Sequence, residues 1–160
     1  MDVSYILDDL NDAQRQAVTS ESKKLLVLAG AGSGKTKVLV HRIAWLIKAL
    51  SNSTHSILSV TFTNKAANEM TGRIEQILDQ PIPEMWCGTF HSISNRLLRR
   101  HYKEAGLEKD FSILDSDDQL RVIKRNLKEL DIDEDQGPAE KIRWQINNWK
   151  DEALRPKDVD

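Results

Sequence analysis

The sequence has a single cysteine, few aromatic residues and no long apolar run. Cys87 is the only cysteine among 160 residues, so no intrachain disulfide can form, which fits a reducing compartment such as the cytoplasm. No apolar stretch approaches the roughly 18 residues that a membrane-spanning helix needs. The acidic start, MDVSYILDDLND, is also unlike a signal peptide. We therefore expect a cytoplasmic protein without membrane association.

An excess of basic charge is also missing. The formal net charge is -2 at pH 7, with 39% apolar and 30% charged residues. This composition is typical of a globular protein and not of a disordered one. The whole-chain charge predicts no nucleic-acid binding, so any such site has to be a local patch. The length allows one domain, or one domain and part of a second.

Short apolar runs alternate with segments of helical periodicity. Residues 25–29, 57–62 and 85–90 are predicted as strands, and helical spacing of apolar side chains follows the first two. The strand at 25–29 is expected to be buried. Asn11 and Gln14 form the sequence pattern of a capping box, which predicts a helix near the N-terminus. Alternating strands and helices indicate an α/β fold with a parallel sheet.

The pattern changes near residue 115. Beyond it, two amphipathic helical segments are separated by the acidic stretch 131–137, which is predicted as a solvated loop. We therefore expect an α/β unit over residues 1–115 and the start of a helical unit over residues 116–160.

Residues 29–36, AGAGSGKT, fit the phosphate-loop pattern G-x-x-x-x-G-K-[ST], except that Ala29 replaces the first glycine. Glycines let the main-chain N–H groups point inward, and the next helix directs its positive end to the same place. Lys35 and Thr36 are predicted to act in catalysis, with Lys35 on the β- and γ-phosphates and Thr36 on Mg²⁺. The predicted cofactors are thus ATP and Mg²⁺, and the predicted loop residues are Ala29, Gly30, Ala31, Gly32, Ser33, Gly34, Lys35 and Thr36.

Three blocks occur in order between residues 10 and 91: LNDAQRQAV, AGAGSGKT, and VTFTNKAANEM followed by GTFH. Together they resemble the UvrD-like superfamily 1 DNA helicases. The resemblance implies a partial RecA-like P-loop NTPase sheet followed by the start of an inserted helical subdomain. It also implies ATP-dependent 3′-to-5′ unwinding in DNA repair. The implied partners are single-stranded DNA, duplex/single-strand junctions and, through the full-length protein, repair proteins.

Two more nucleotide-binding residues follow from the resemblance. The family's first-block glutamine contacts adenine, which implies this role for Gln14, since an amide both donates and accepts hydrogen bonds. From the residues alone, the alternative is that Gln14 only completes the capping box with Asn11. Lys37 stands where the family usually has arginine. A lysine keeps the charge but lacks the planar fork of a bidentate phosphate contact.

The predicted DNA site lies where two strands end. Ligands of open α/β sheets bind at this edge, so Phe62 is a candidate for stacking on a base, with core packing as the alternative. Asn64 is predicted to cap the next helix, and GTFH repeats the arrangement one strand later. The basic stretch 88–103 either attracts phosphate or is a solvated helix face. The candidate DNA-binding residues are Phe62, Thr63, Asn64, Lys65, Thr89, Phe90 and His91.

ATP hydrolysis in this class also needs an acidic pair at the end of another strand. The local candidate, Asp115, precedes a helix-start pattern, so Asp115 and Ser116 are predicted as caps. By resemblance, the acidic strand and the transition-state arginines lie beyond residue 160. We therefore expect a fragment that binds ATP without turnover, with its oligomeric state open. The alternatives are a stand-alone nucleotide-binding regulatory module and a small P-loop phosphotransferase.

Overall fold

The computed structural model describes residues 2–132 and 138–159. They form a mixed α/β structure with a parallel two-stranded sheet, divided into two compact units, Met1–Gly106 and Leu107–Asp160. The division falls before residue 115. The helices are α1 (Asp12–Thr19), α2 (Lys35–Lys48), α3 (Asn64–Leu78), α4 (Phe90–Arg100), α5 (Ser116–Glu129) and α6 (Ala139–Asp151), and the strands are β1 (Leu58–Thr61) and β2 (Trp86–Thr89).

The predicted capping box begins α1. The Gln14 main-chain N–H donates to Asn11 Oδ1 at 2.9 Å, and the Asn11 N–H donates to Gln14 Oε1 at 3.1 Å. Two of the free N–H groups at the start of the helix are thereby satisfied. The capping prediction from the sequence is confirmed.

Helix α2 lies between two apolar clusters of the first unit. On one side Val38 packs with Leu10 and Val18. On the other side α2 packs against α3, and the buried residues are Ile6, Val40, Ile43, Ala44, Met70, Ile74, Leu78, Ile82 and Met85. Because α2 begins directly after the glycine-rich loop, this packing on both sides fixes the helix end that borders the loop.

Strands β1 and β2 pair in parallel, with Leu58 opposite Trp86 and Thr61 opposite Thr89. Their carboxyl ends therefore meet at one edge of the sheet. A Cβ on Gly88 would lie 2.6 Å from Ser92 Oγ, so a glycine is needed for the first turn of α4 to pass this close to β2. Both strands confirm the sequence prediction at these positions.

The predicted buried strand at residues 25–29 is wrong. Residues 25–30 have no regular secondary structure, and Leu26 and Leu28 are 80% and 85% exposed. An all-apolar strand is stable when neighbouring strands pair with its main chain and helices cover both faces. In the described residues the sheet consists of β1 and β2, so the segment has no strand beside it.

The cap of α3 also differs from the prediction. The N-cap is Thr63, whose Oγ1 accepts the Ala66 N–H at 3.1 Å, and Asn64 is the first helical residue. Thr63 has the extended main-chain conformation that an N-cap requires, with φ -127° and ψ 147°.

The second unit contains the helix pair α5 and α6. Asp115 caps α5, as predicted, because its Oδ1 accepts the N–H groups of Asp117 and Asp118. Ser116, also predicted as a cap, is the first residue of the helix. Arg143 of α6 donates to the Ser116 carbonyl at 3.1 Å. Of the predicted acidic loop, residues 133–137 lie outside the described residues. Among the helices that are described, each is too short or too polar to cross a lipid bilayer.

Replacing Ile74 by valine is expected to lower the free energy of unfolding by roughly 0.5–1.5 kcal/mol. The reason is that Ile74 is fully buried between α2 and α3, so the lost methylene leaves a small cavity. Urea denaturation followed by circular dichroism measures the change. Gln76→Ala, at an exposed position of the same helix, is the control. Equal unfolding midpoints for Ile74→Val and wild type would contradict this packing.

Candidate functional site

The glycine-rich loop has the main-chain geometry of a tight turn at the start of α2. Gly32 and Gly34 have φ values of +76° and +82°, a region that favours glycine. A Cβ on Gly34 would also lie 2.9 Å from Gln14 Nε2. The left-handed conformation therefore favours glycine at position 34, and a Cβ there would displace the flexible end of the Gln14 side chain.

The side chains of Lys35 and Ser33 donate hydrogen bonds to main-chain carbonyls within the glycine-rich loop. The Lys35 ammonium donates to the carbonyls of Ala29 at 3.0 Å and Gly30 at 2.6 Å. Ser33 Oγ donates to the same Gly30 carbonyl at 2.7 Å. Lys35 is exposed, as is Thr36 on the first turn of α2. The ammonium thus lies over the loop, where anionic oxygens could take the place of the two carbonyls.

Gln14 connects α1 to the loop. Its Nε2 donates to the Ser33 carbonyl at 3.1 Å, while its Oε1 accepts the Asn11 N–H. The side-chain amide therefore caps its helix and contacts the loop at the same time. The capping box is confirmed, but Gln14 does more than complete it, because its amide also contacts the loop. Adenine contact by Gln14 stays a prediction.

Lys37 makes a contact that the sequence did not indicate. Its Nζ donates to the main-chain carbonyl of Asp9 at 2.6 Å. Because Lys37 lies in the first turn of α2, this hydrogen bond ties the N-terminal segment to the helix that borders the loop.

A cavity of about 460 Å³ lies beside Lys35. Leu25 and Val27 contribute one part of its wall, and Val38 and Leu39 of α2 contribute another. Leu26 and Leu28 are the more exposed members of the same segment. The alternation of a strand thus remains in residues 25–28, although no strand forms there.

Phe62 and Phe90 directly follow β1 and β2. Their ring centroids are 6.3 Å apart with the planes inclined by 57°. Phe62 is 91% exposed and Phe90 is 59% exposed, so the core-packing alternative does not describe either ring in this structure. The pair presents aromatic surface at the carboxyl edge of the sheet.

The other predicted DNA-binding residues lie at the same edge, at the starts of α3 and α4. Thr63 and Thr89 are the N-caps, and their hydroxyls accept main-chain N–H groups of the first turns. Asn64 and Lys65 are exposed on α3, and His91 is exposed on α4. Two helix N-termini, each with a positive partial charge, thus flank the aromatic pair.

The structure also shows a contact of the basic helix that the sequence pattern did not predict. The Arg96 guanidinium lies over the Trp86 ring, 4.2 Å from its centroid. This cation–π contact joins α4 to β2. The interacting residues are ten positions apart, so no local spacing rule indicates the pair.

Comparison with known proteins gives a consistent result. The family described as UvrD/REP helicase N-terminal domain matches residues 10–160. DNA helicase II of Escherichia coli is 57% identical and that of Salmonella typhimurium 56% identical, each over 159 residues that cover 99% of this chain. ATP-dependent DNA helicase PcrA of Bacillus subtilis is 44% identical over 155 residues, or 97% of this chain. The alignments cover 22%, 22% and 21% of these relatives, so the chain spans about a fifth of their length.

Proposed function

Since the chain belongs to the UvrD/REP helicase N-terminal domain family, we propose that it is the ATP- and single-stranded-DNA-binding part of an ATP-dependent DNA helicase. The relatives it matches are named DNA helicase II and ATP-dependent DNA helicase PcrA. The proposal includes 3′-to-5′ unwinding, action in DNA repair and binding to duplex/single-strand junctions, all by resemblance. It also includes a cytoplasmic location, where the DNA of a bacterial cell lies.

The proposed architecture is a partial RecA-like P-loop domain over residues 1–115, followed by the start of a helical subdomain over residues 116–160. The parallel pair of β1 and β2 and the loop-to-helix junction at Gly34 support the first part. The helix pair α5 and α6 supports the second.

The observation that carries the nucleotide proposal is the position of Lys35 over a glycine-rich loop at the start of α2. The loop carbonyls that now accept from the ammonium would be replaced by the β- and γ-phosphate oxygens of ATP. Thr36, exposed one residue further on, would hold Mg²⁺, which supplies charge neutralisation on the phosphates. Gln14 would read adenine beside the loop.

The DNA proposal rests on the exposed pair Phe62 and Phe90. Every type of base can stack on an aromatic ring, so such a platform suits the binding of single-stranded DNA without sequence preference. Lys65 and His91 are exposed near the N-termini of α3 and α4, and in this proposal they would contact the phosphate backbone. Because only part of a groove is present, we expect weak and salt-sensitive binding.

Phe62→Ala is expected to weaken binding of labelled oligo(dT) by roughly 1 kcal/mol, the low end of the range for one stacked base. The low end applies because Phe90 remains as a second ring. Fluorescence anisotropy titrations at two salt concentrations measure the change. Trp144→Ala removes an exposed ring of the second unit and is the control.

The same titrations separate DNA binding from nucleotide binding. In this proposal DNA binding survives Lys35→Ala but is reduced by Phe62→Ala. Equal DNA affinity for wild type and Phe62→Ala would argue against the aromatic platform. An affinity that does not respond to salt would argue against a phosphate-contacting groove.

A further inference from the structure

Helix α4 leads away from the aromatic pair. It begins at Phe90, directly after β2, and the guanidinium of Arg96 lies over the ring of Trp86, the first residue of that strand. The helix therefore runs back alongside β2, from the carboxyl edge of the sheet towards the amino edge. With a rise of about 1.5 Å per residue, Arg100 lies roughly 15 Å along the helix from Phe90.

The basic side chains of this region lie close together along the helix. Between Gly88 and Lys103 the chain has four basic residues and no acidic one, although its formal net charge is -2 at pH 7. Arg96 and Arg100 are four positions apart, so their side chains lie on the same face of α4. Arg100 is exposed and has no ion-pair partner within the described part of the chain. We call Arg96, Arg100 and Lys103, all of them exposed, the basic row.

Cations at the end of a helix can have a purely structural role, because the helix dipole favours them in the last turn. Arg99 and Arg100 belong to the last turn of α4. Arg96 lies one turn earlier, and Lys103 lies beyond the end of the helix at Arg100. The helix dipole therefore accounts for only part of the basic row, whereas a partner with repeated negative charges would account for all of it.

We propose that the basic row binds the phosphates of a single DNA strand that continues past Phe62 and Phe90 along α4. The inference rests on the proposed DNA-binding function and extends it from a stacking site to a path for the strand. Phe90 is the first residue of α4, so a base stacked on its ring brings the sugar–phosphate backbone to the start of the same helix. From that point the row offers cations along the direction in which α4 runs.

A single strand fits this arrangement better than a duplex. The two rings need bases that are free to stack, which a single strand supplies and an intact duplex does not. A single strand is also flexible enough to turn from the carboxyl edge onto the side of the sheet, whereas duplex DNA has a persistence length of about 150 base pairs. The row contributes through its charge, so its share of the affinity has to fall with salt.

The test measures binding of a labelled oligothymidylate of about 16 nucleotides, the upper site size of compact single-strand-binding folds, by fluorescence anisotropy at several salt concentrations. Arg100→Gln is expected to bind about threefold more weakly than wild type, in line with the loss of an exposed ion pair. The slope of log affinity against log salt is expected to become shallower by about 0.7, the value for one phosphate contact on a single strand. Combined with Phe62→Ala, which alone costs about fivefold, the loss is expected to be about fifteenfold, because distant contacts to one strand add independently.

Three further variants accompany Arg100→Gln. Arg100→Lys keeps the charge and is expected to keep the salt slope of wild type. Lys103→Gln removes a second member of the row and is expected to act like Arg100→Gln, which keeps the proposal testable if Arg100→Gln does not fold. Lys128→Gln removes an exposed cation from the last turn of α5 in the second unit and is expected to change neither the affinity nor the slope.

An unchanged affinity and salt slope in both Arg100→Gln and Lys103→Gln would overturn the inference. Weaker binding with an unchanged slope would show a structural role at the end of α4 and would overturn it as well. The same holds if Arg100→Gln lost affinity for a blunt duplex of the same length but not for the single strand.

Failure of the proposed DNA-binding function would look different. Wild type would then bind no oligonucleotide at any salt concentration tested. If Phe62→Ala bound as tightly as wild type while Arg100→Gln lowered the slope, the aromatic platform would be refuted. The basic row would then be a phosphate site separate from it, and the path along α4 would be refuted too.

Discussion

Lys35→Ala is expected to weaken binding of a fluorescent ATP analogue by at least about tenfold. A charge-assisted contact of this kind contributes roughly 1.5–3 kcal/mol, and the ammonium lies directly over the loop, on the carbonyls of Ala29 and Gly30. A triphosphate would replace those two acceptors with charged oxygens, and alanine would leave them without a cationic partner. Fluorescence titration of both proteins measures the difference.

The fold should survive this substitution. Lys35 is exposed, and both of its hydrogen bonds stay within the loop, so thermal unfolding midpoints of variant and wild type should agree. Lys48→Ala removes a lysine from the other end of α2, where it donates to Gln80 Oε1, and should leave nucleotide affinity unchanged. Equal affinity of wild type and Lys35→Ala for the ATP analogue would contradict the proposal that the loop binds phosphate.

Much of the local structure could be predicted because its causes are local. The capping box of Asn11 and Gln14 needs two residues three positions apart, and Asp115 caps α5 through N–H groups two and three residues away. Periodic apolar residues likewise indicated the helix α2. Capping residues can still compete, and at α3 the cap is Thr63, one residue earlier than predicted.

Residues 25–29 show where a local pattern is insufficient. Their composition favours a strand buried on both faces, but a strand exists only when another main chain pairs with it. Leu26 and Leu28 are exposed in this structure. An apolar run therefore indicates that a segment can form a buried strand. Whether the strand forms depends on neighbouring strands that pair with its main chain.

The candidate site was predictable in its residue types but not in its contacts. Phe62 and Phe90 each follow a strand, which was evident, yet their proximity depends on β1 and β2 being neighbours. The hydrogen bonds of Gln14 to Ser33 and of Lys37 to Asp9 join residues 19 and 28 positions apart. Such contacts follow from the packing of α1 on α2, which no spacing rule supplies.

A polypeptide of these 160 residues is expected to bind ATP without appreciable hydrolysis, with or without poly(dT). Hydrolysis needs a carboxylate to position water and a cation on the leaving charge. Asp115 is engaged in capping α5. An arginine directed at the transferred phosphate accelerates turnover by roughly 10³–10⁵-fold, whereas Arg42, which lines the cavity beside Lys35, donates to the Val18 carbonyl. Phosphate release measures turnover.

The control for this prediction is Lys35→Ala, because a contaminating ATPase would be unaffected by it while turnover at this site would be lost. DNA-stimulated phosphate release that Lys35→Ala abolishes would therefore contradict the prediction. An acid within the chain would then have been overlooked.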